Sequence, residues 1–188
     1  TKFTGTRPRG NRSPLYNMSA QPPGLLAEEG FLYASSLMGD DIPYILAPPE
    51  GEVMELPVSW ATDDWPPYVH SIDLDYMFQI MSPARAMEIF MAEFNAMRRA
   101  GGGLWIGIWH PFVSGRLSRW QRIEHMIEEM QETGEVWFAT LEEIATHCRT
   151  LHDTGGVTLR RQELPLYGGT SPLPDPRPST MPNEKDGS

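Results

Sequence analysis

Three sets of residues combine groups that bind or move protons with places where such groups are useful: Arg12, the run Asp63-Asp64-Trp65, and His110. His110 closes Leu104-Trp105-Ile106-Gly107-Ile108-Trp109-His110-Pro111, an apolar run of strand length preceded by glycines. Its unbroken hydrophobicity predicts a strand buried on both faces, as in a parallel sheet covered by helices. In such sheets ligands and reactive groups gather where strands end, and imidazole is the side chain that exchanges protons near neutrality. Position alone is equally met by a neutral histidine that only caps its strand. Arg12 lies in an irregular leader punctuated by Gly5, Pro8, Gly10 and Pro14, and Asp63-Asp64-Trp65 follows a second strand-like run, Val53-Met54-Glu55-Leu56-Pro57-Val58-Ser59-Trp60. All three sets therefore fall where loops should meet at one end of a sheet. The plainer roles are a surface charge for Arg12, turn residues before Pro66-Pro67 for the two aspartates, and core packing for Trp65.

The elements that must position these groups follow from periodicity and punctuation. Ser19 predicts a short helix through about Glu29, helical only from the Pro22-Pro23-Gly24 step onward, stopped by Gly30 and turning Leu25 and Leu26 inward. Phe31 to Ser35 predicts a short strand, and 36–51 a loop rich in Asp, Pro and Gly. Ser82-Pro83 opens a helix whose inner face carries Met87, Phe90, Met91, Phe94 and Met97; Arg98 and Arg99 suit its end and Gly101 to Gly103 stop it. Ser118 with Gln121 predicts a capping box for a helix carrying Trp120, Ile123, Ile127 and Met130 up to Gly134, with Arg116 and Arg119 bracing its start. Val136 to Ala139 predicts another buried strand. Thr140 with Glu143 repeats the capping box for a last helix through about Leu151. Strand, helix, strand, helix, strand, helix predicts an α/β architecture of parallel strands with right-handed crossovers and outer helices. The expected division is a folded unit over 1–152 and a Pro-rich, disordered tail over 153–188, the composition changing most sharply from about Pro165.

Twenty-five Asp and Glu against fifteen Lys and Arg give a formal net charge of -10. The basic residues form no run or helical stripe, so neither nucleic acid nor an anionic membrane surface is an expected partner. Cys148 is the only cysteine, which excludes an internal disulfide framework and a Cys-rich zinc site; it is expected to pack inertly, and a reducing, cytoplasmic setting suits it. Thr1-Lys2-Phe3-Thr4-Gly5 lacks the apolar core of a signal peptide, and no stretch approaches the roughly twenty apolar residues of a membrane span. His125, His147 and His152 have no paired ligand spacing.

Several ordered segments resemble one family. Asn11-Arg12-Ser13-Pro14-Leu15-Tyr16 with Leu25 to Leu37, Glu55-Leu56-Pro57-Val58-Ser59-Trp60 with Asp63-Asp64-Trp65, and Trp109-His110-Pro111-Phe112-Val113-Ser114-Gly115-Arg116 are similar to the third, fourth and fifth motif regions of polysaccharide deacetylases, the NodB-homology enzymes of carbohydrate esterase family four. Val136 to Ala145 is similar to the family's closing segment, and the resemblance, of the peptidoglycan-deacetylase and allantoinase-like branch, covers roughly residues 8 to 150. It implies a partial (β/α) barrel and hydrolysis of acetamido or related linear amide bonds with a divalent metal, usually zinc. It further implies that His110 is the general acid, that Asp64 or Asp63 holds its ring and favours the imidazolium, and that Arg12 orients the catalytic base carboxylate. Trp65, Tyr16 and Pro111 would line the substrate groove.

The family's amino-terminal motifs, an Asp-Asp pair giving base and ligand and a His-x-x-x-His pair giving two more ligands, have no counterpart here; Asp40-Asp41 and Asp63-Asp64 do not follow a first barrel strand. Ala34 stands where the family often has Asp. The expectation is the carboxyl half of a longer deacetylase, with no metal ligand in this chain, the zinc held by an amino-terminal half, and an acetamido sugar or small amide as substrate. The alternative is a catalytically inactive half-barrel that binds glycan or a partner. Either form has open sheet edges, so a homo-oligomer or a complementing amino-terminal half is expected.

Overall fold

Arg12, Ser35-Ser36 and Glu55 lie at the ends of three short parallel strands, β1 (Gly10–Asn11), β2 (Tyr33–Ala34) and β4 (Val53–Glu55). The computed structural model that shows this describes residues 3–164. β3 (Tyr44–Ala47) pairs antiparallel with β4 and parallel with β5 (Arg161–Glu163), giving a sheet of order β1-β2-β4-β3-β5. The parallel strands and outer helices are those expected; the antiparallel β3 is not, because 36–51 reads as loop. Tyr44-Ile45-Leu46-Ala47 is buried at every position and too short to show any alternation, and prolines flank it. β5 also corrects the expected boundary at residue 152. Arg161-Gln162-Glu163 is polar throughout and is held by its ladder to β3 and by the Arg161 ion pair with Glu52, so hydrophobic pattern gives no sign of it. The tail expected over 165–188 lies outside the described residues.

The helices form two layers of packing. α3 (Pro83–Arg99) starts as the sequence predicts, Ser82 Oγ accepting the Arg85 N–H at 3.2 Å with proline at the first helical position. Its Met87, Phe90 and Phe94 bury against Ile123, Met126 and Met130 of α5 (Leu117–Glu132). α5 begins after Arg116, with Ser118 already inside the helix and making no cap bond, so the Ser118/Gln121 capping box does not form. The Thr140/Glu143 box does: Thr140 Oγ1 accepts from Glu143 N at 3.3 Å and Thr140 N donates to Glu143 Oε2 at 2.8 Å, opening α6 (Leu141–Asp153). α6 buries Ala145 with Ile45, Met54 and Leu56, and Cys148 packs at the margin, where burial pushes its thiol pKa up. The short α1 (Pro22–Glu28) buries Leu26 beside Ala34 and Val53 but leaves Leu25 exposed, since neighbouring residues on a helix point about 100° apart and only one face meets the sheet. No described helix is long and apolar enough to cross a membrane.

Two predicted strands are extended chain without a ladder. Over 104–109 the backbone makes one parallel bridge, Asp63 to Ile108, and the segment is half-buried. Its side chains still alternate between two apolar layers: Trp105 and Trp109 enter the α3/α5 cluster, Leu104 and Ile106 the β3/β4/α6 cluster. Gly107 is required by the first of these, because a Cβ there would stand 2.6 Å from the Trp109 ring and 2.9 Å from the Trp105 ring. Over 136–139, Val136 touches the α3/α5 cluster while Trp137 and Phe138 are 57% and 51% exposed. The period of two is present over 104–109 but not over 136–139, and neither run forms a ladder with a described strand.

Candidate functional site

Backbone register creates the site. Thr62 Oγ1 donates to Ile106 O at 2.6 Å, Ile108 N to Thr62 O at 3.1 Å and Asp64 N to Ile108 O at 3.0 Å, so the 62–64 segment runs alongside 106–110. Asp64, fully buried, then meets His110 twice. Its Oδ2 accepts the His110 backbone N–H at 2.8 Å, and its Oδ1 lies 2.6 Å from His110 Nδ1. A carboxylate can only accept, so Nδ1 carries the proton, and Nε2 makes no hydrogen bond among the described residues. The ring is 35% exposed, with Trp65 and Phe112 edge-on to it at centroid separations of 5.3 and 5.7 Å. Proline immediately follows the histidine because Pro111 opens the one-turn α4 (Pro111–Ser114), where no N–H is needed. Trp65 likewise opens α2 (Trp65–Tyr68) directly after Asp64.

Asp63 is buried in the opposite sense. Oδ1 accepts Trp65 N at 2.7 Å and Oδ2 accepts the Tyr16 phenol. Tyr16 ends a 3-10 turn, Pro14–Tyr16, in which Leu15 and Tyr16 have φ of 54° and 57°, a region costly for bulky residues. The turn is held by Ser13 N donating to Ser36 Oγ at 2.9 Å and by the Tyr16 ring against Trp60 at 4.6 Å. Burial and the bond to Asp63 raise the Tyr16 pKa above its ordinary value. Arg12 donates from Nε to Ser35 O at 2.9 Å and from Nη2 to Ser35 Oγ at 2.6 Å; half-burial lowers its pKa, and its charge is felt by Tyr16.

The structure thus gathers His110, Asp64, Asp63, Trp65 and Tyr16, puts Pro111 beside them, and ties Arg12 in through Ser35 and the Ser13-to-Tyr16 turn. Phe112, Ser35, Ser36 and Glu55 join them without having been foreseen. The signal for Glu55 was present: a lone acid in the apolar run Val53-Met54-Glu55-Leu56 marks a buried polar group.

Asp63, Asp64 and His110 bring three potential ligand atoms within 4.8 Å of one another, the one such group among the described residues. The trio is already engaged without a cation: each oxygen of both carboxylates takes one hydrogen bond from the protein and Nδ1 faces Asp64, which leaves Nε2 as the ring nitrogen without a partner among the described residues. The trio is an oriented histidine and its supports.

A parallel-stranded α/β unit with outer helices, carrying a carboxylate-fixed histidine where its strands end, belongs to the barrel-type class in which one end of the sheet bears the site. No family model matches the chain. It is similar to a peptidoglycan deacetylase-like protein of Gibberella zeae, 28% identical over 175 residues, covering 76% of this chain and 52% of that protein. It is also similar to the peptidoglycan deacetylase of Helicobacter pylori, 26% identical over 168 residues, covering 76% and 57%. A solved structure from Mycobacterium smegmatis assigned to the polysaccharide deacetylases superposes with a TM-score of 0.75 and 43% identity over 85% of this chain and 54% of its own. The similarity to these deacetylases extends over about 76–85% of the chain, which spans little more than half the length of these relatives.

Proposed function

We propose that this chain supplies the carboxyl half of a hydrolase of non-peptide amide bonds, N-deacetylation of an acetamido sugar being the favoured reaction, with His110 as the general acid. The observation that carries the reading is the double hold of Asp64 on the backbone and ring of His110, which engages Nδ1 and leaves Nε2 without a partner among the described residues, in a ring flanked by half-buried Trp65 and exposed Phe112. Amide cleavage stalls unless the departing amine is protonated; with Nδ1–H held by Asp64, the imidazolium form of His110 carries its transferable proton on Nε2 and returns to the neutral Nδ1–H ring on giving it up. Asp64 holds the ring and stabilises the imidazolium. Trp65 and Phe112, in edge contact with each other and with the His110 ring, offer aromatic surface suited to a sugar ring or planar amide. Tyr16 serves by fixing Asp63, its phenol being committed there, and Arg12 orients a base carboxylate from outside the described residues.

Such chemistry is assisted by a divalent metal, which when bound polarises the carbonyl and activates water. In this reading zinc is held by an amino-terminal half, while Asp63, Asp64 and Nδ1 of His110 stay engaged with one another and with the protein.

The test is metal content and amide hydrolysis on model acetamido sugars and ureides, for this chain alone and for it joined to an amino-terminal half from a relative. Hydrolysis by the joined protein only, lost in His110→Ala, is the expected result. Hydrolysis by the chain alone would mean that the metal site has been misplaced, and none in either form would favour the non-catalytic binding half-barrel.

A further inference from the structure

Glu55 is a fully buried carboxylate that the acid–base reading leaves without a task. Its Oε1 accepts the backbone N–H groups of Ser36 at 2.6 Å and Leu37 at 2.7 Å, while Oε2 is buried with no hydrogen-bond partner. An apolar residue at this end of β4 would avoid that unsatisfied oxygen, so the carboxylate calls for a compensating role. The segment that Glu55 grips is the one that grips the site. Ser35 takes two donors of Arg12 through its carbonyl and hydroxyl, Ser36 Oγ takes the Ser13 N–H, and Ser13 leads into the turn that delivers Tyr16 to Asp63.

We propose that Glu55 is a positioning residue for this site, its carboxylate fixing the Ser35–Leu37 backbone so that Arg12 and Tyr16 are held in place beside Asp63, and that the strength of this hold follows the ionisation of Glu55. As an anion Glu55 is a strong acceptor for two backbone donors and faces the positive charge of Arg12; once protonated it is a weaker acceptor and the charge is gone. The charged and titratable groups facing it are Arg12, on the segment after β1, and Tyr44 on β3. Burial lifts Glu55 to about 7, opposed by its two backbone bonds and Arg12, so both forms are populated near neutrality. The proposal deepens the hydrolase reading, on which its catalytic meaning rests, but its structural content is tested without activity.

The experiment is a pH titration of the full chain by NMR, following the Ser36 and Leu37 amides, the Arg12 Nε–H and the Tyr16 ring, in wild type, Glu55→Gln and Glu55→Ala. Expected are a common midpoint near 7 for all four signals in wild type, no such titration in Glu55→Gln, and loss of the Arg12 Nε–H signal to solvent exchange in Glu55→Ala. Titration of Ser36 and Leu37 without Arg12 and Tyr16 would reduce Glu55 to a loop anchor and overturn the proposal. So would an unchanged Arg12 titration in Glu55→Gln. If Glu55→Ala does not fold, the wild-type and Glu55→Gln comparison decides alone. In the joined protein, Glu55→Gln is expected to remove a limb near pH 7 from kcat while leaving KM within twofold. Hydrolysis by no form of the joined protein overturns the proposed function instead, and the NMR result then stands or falls by itself.

Discussion

Asp64 commits both oxygens to one histidine, and that geometry separates two roles that a carboxylate near an imidazole can play. Each Asp64 oxygen takes one hydrogen bond from His110, Oδ2 from its backbone and Oδ1 from its ring, so the loss of Asp64 should be felt by the ring. Asp64→Asn is expected to replace the acceptor facing Nδ1 or rotate it away, releasing the tautomer, and 15N spectra of the His110 ring check this directly. In the joined hydrolase the same change, like His110→Ala, should lower kcat by roughly 10²–10⁴-fold. Glu55 supplies a second prediction, in stability. Its folded pKa of about 7 lies above the ordinary 4.5, so between those values the folded chain binds more protons than the unfolded one. Stability therefore falls as pH rises through that window and stays lower above it. Glu55→Gln is expected to match wild type near pH 4 and exceed it at pH 8 by up to on the order of 3 kcal/mol, read from urea unfolding at the two pH values. His110 and the aspartates were legible because their types are rare in apolar settings. The hydrogen bonds of Ser35 and Ser36 were not, since serines in a loop look alike until the fold chooses their neighbours.

Among the elements, those with a chemical signature at their ends were the most readable. The Thr140/Glu143 box forms as written in the sequence, and Thr140→Ala should cost about 1 kcal/mol and lower Tm by about 2–4 °C. Ser118 and Gln121 have the same spacing but sit two positions too far into α5, whose cap position is held by Arg116 with no side-chain cap bond. The extended segment over 104–109 shows the limit of reading hydrophobicity as burial. Its apolar residues do face two layers, yet pairing depends on which strands come alongside, and that is a property of the rest of the chain. Gly107 is the position where the segment is tightest. Gly107→Ala would drive a methyl group against two tryptophan rings and is expected to destabilise by about 1–3 kcal/mol, with a shift in tryptophan fluorescence reporting the displaced rings.

At the scale of the whole molecule, exposed apolar side chains gather in two places, the loop bearing Ile72, Leu74, Met77, Phe78, Ile80 and Met81, and the ladderless stretch with Trp137 and Phe138. Such surface marks contact with another body. If an amino-terminal half completes the protein, a hydrophobic dye should bind this chain strongly and the joined form weakly; equal binding by both would count against that completion. The α/β architecture could be read from the alternation of elements, whereas β3 and β5 could not, one being too short and the other too polar to carry a pattern. What joins Asp64 to His110 is the pairing of 62–64 with 106–110, not the chain of residues separating the two by 46 positions. A cut or insertion in the exposed loop over 70–81, which spares α3 and its core packing, is therefore expected to leave the two side chains paired, so the pair is open to reassembly from pieces made apart.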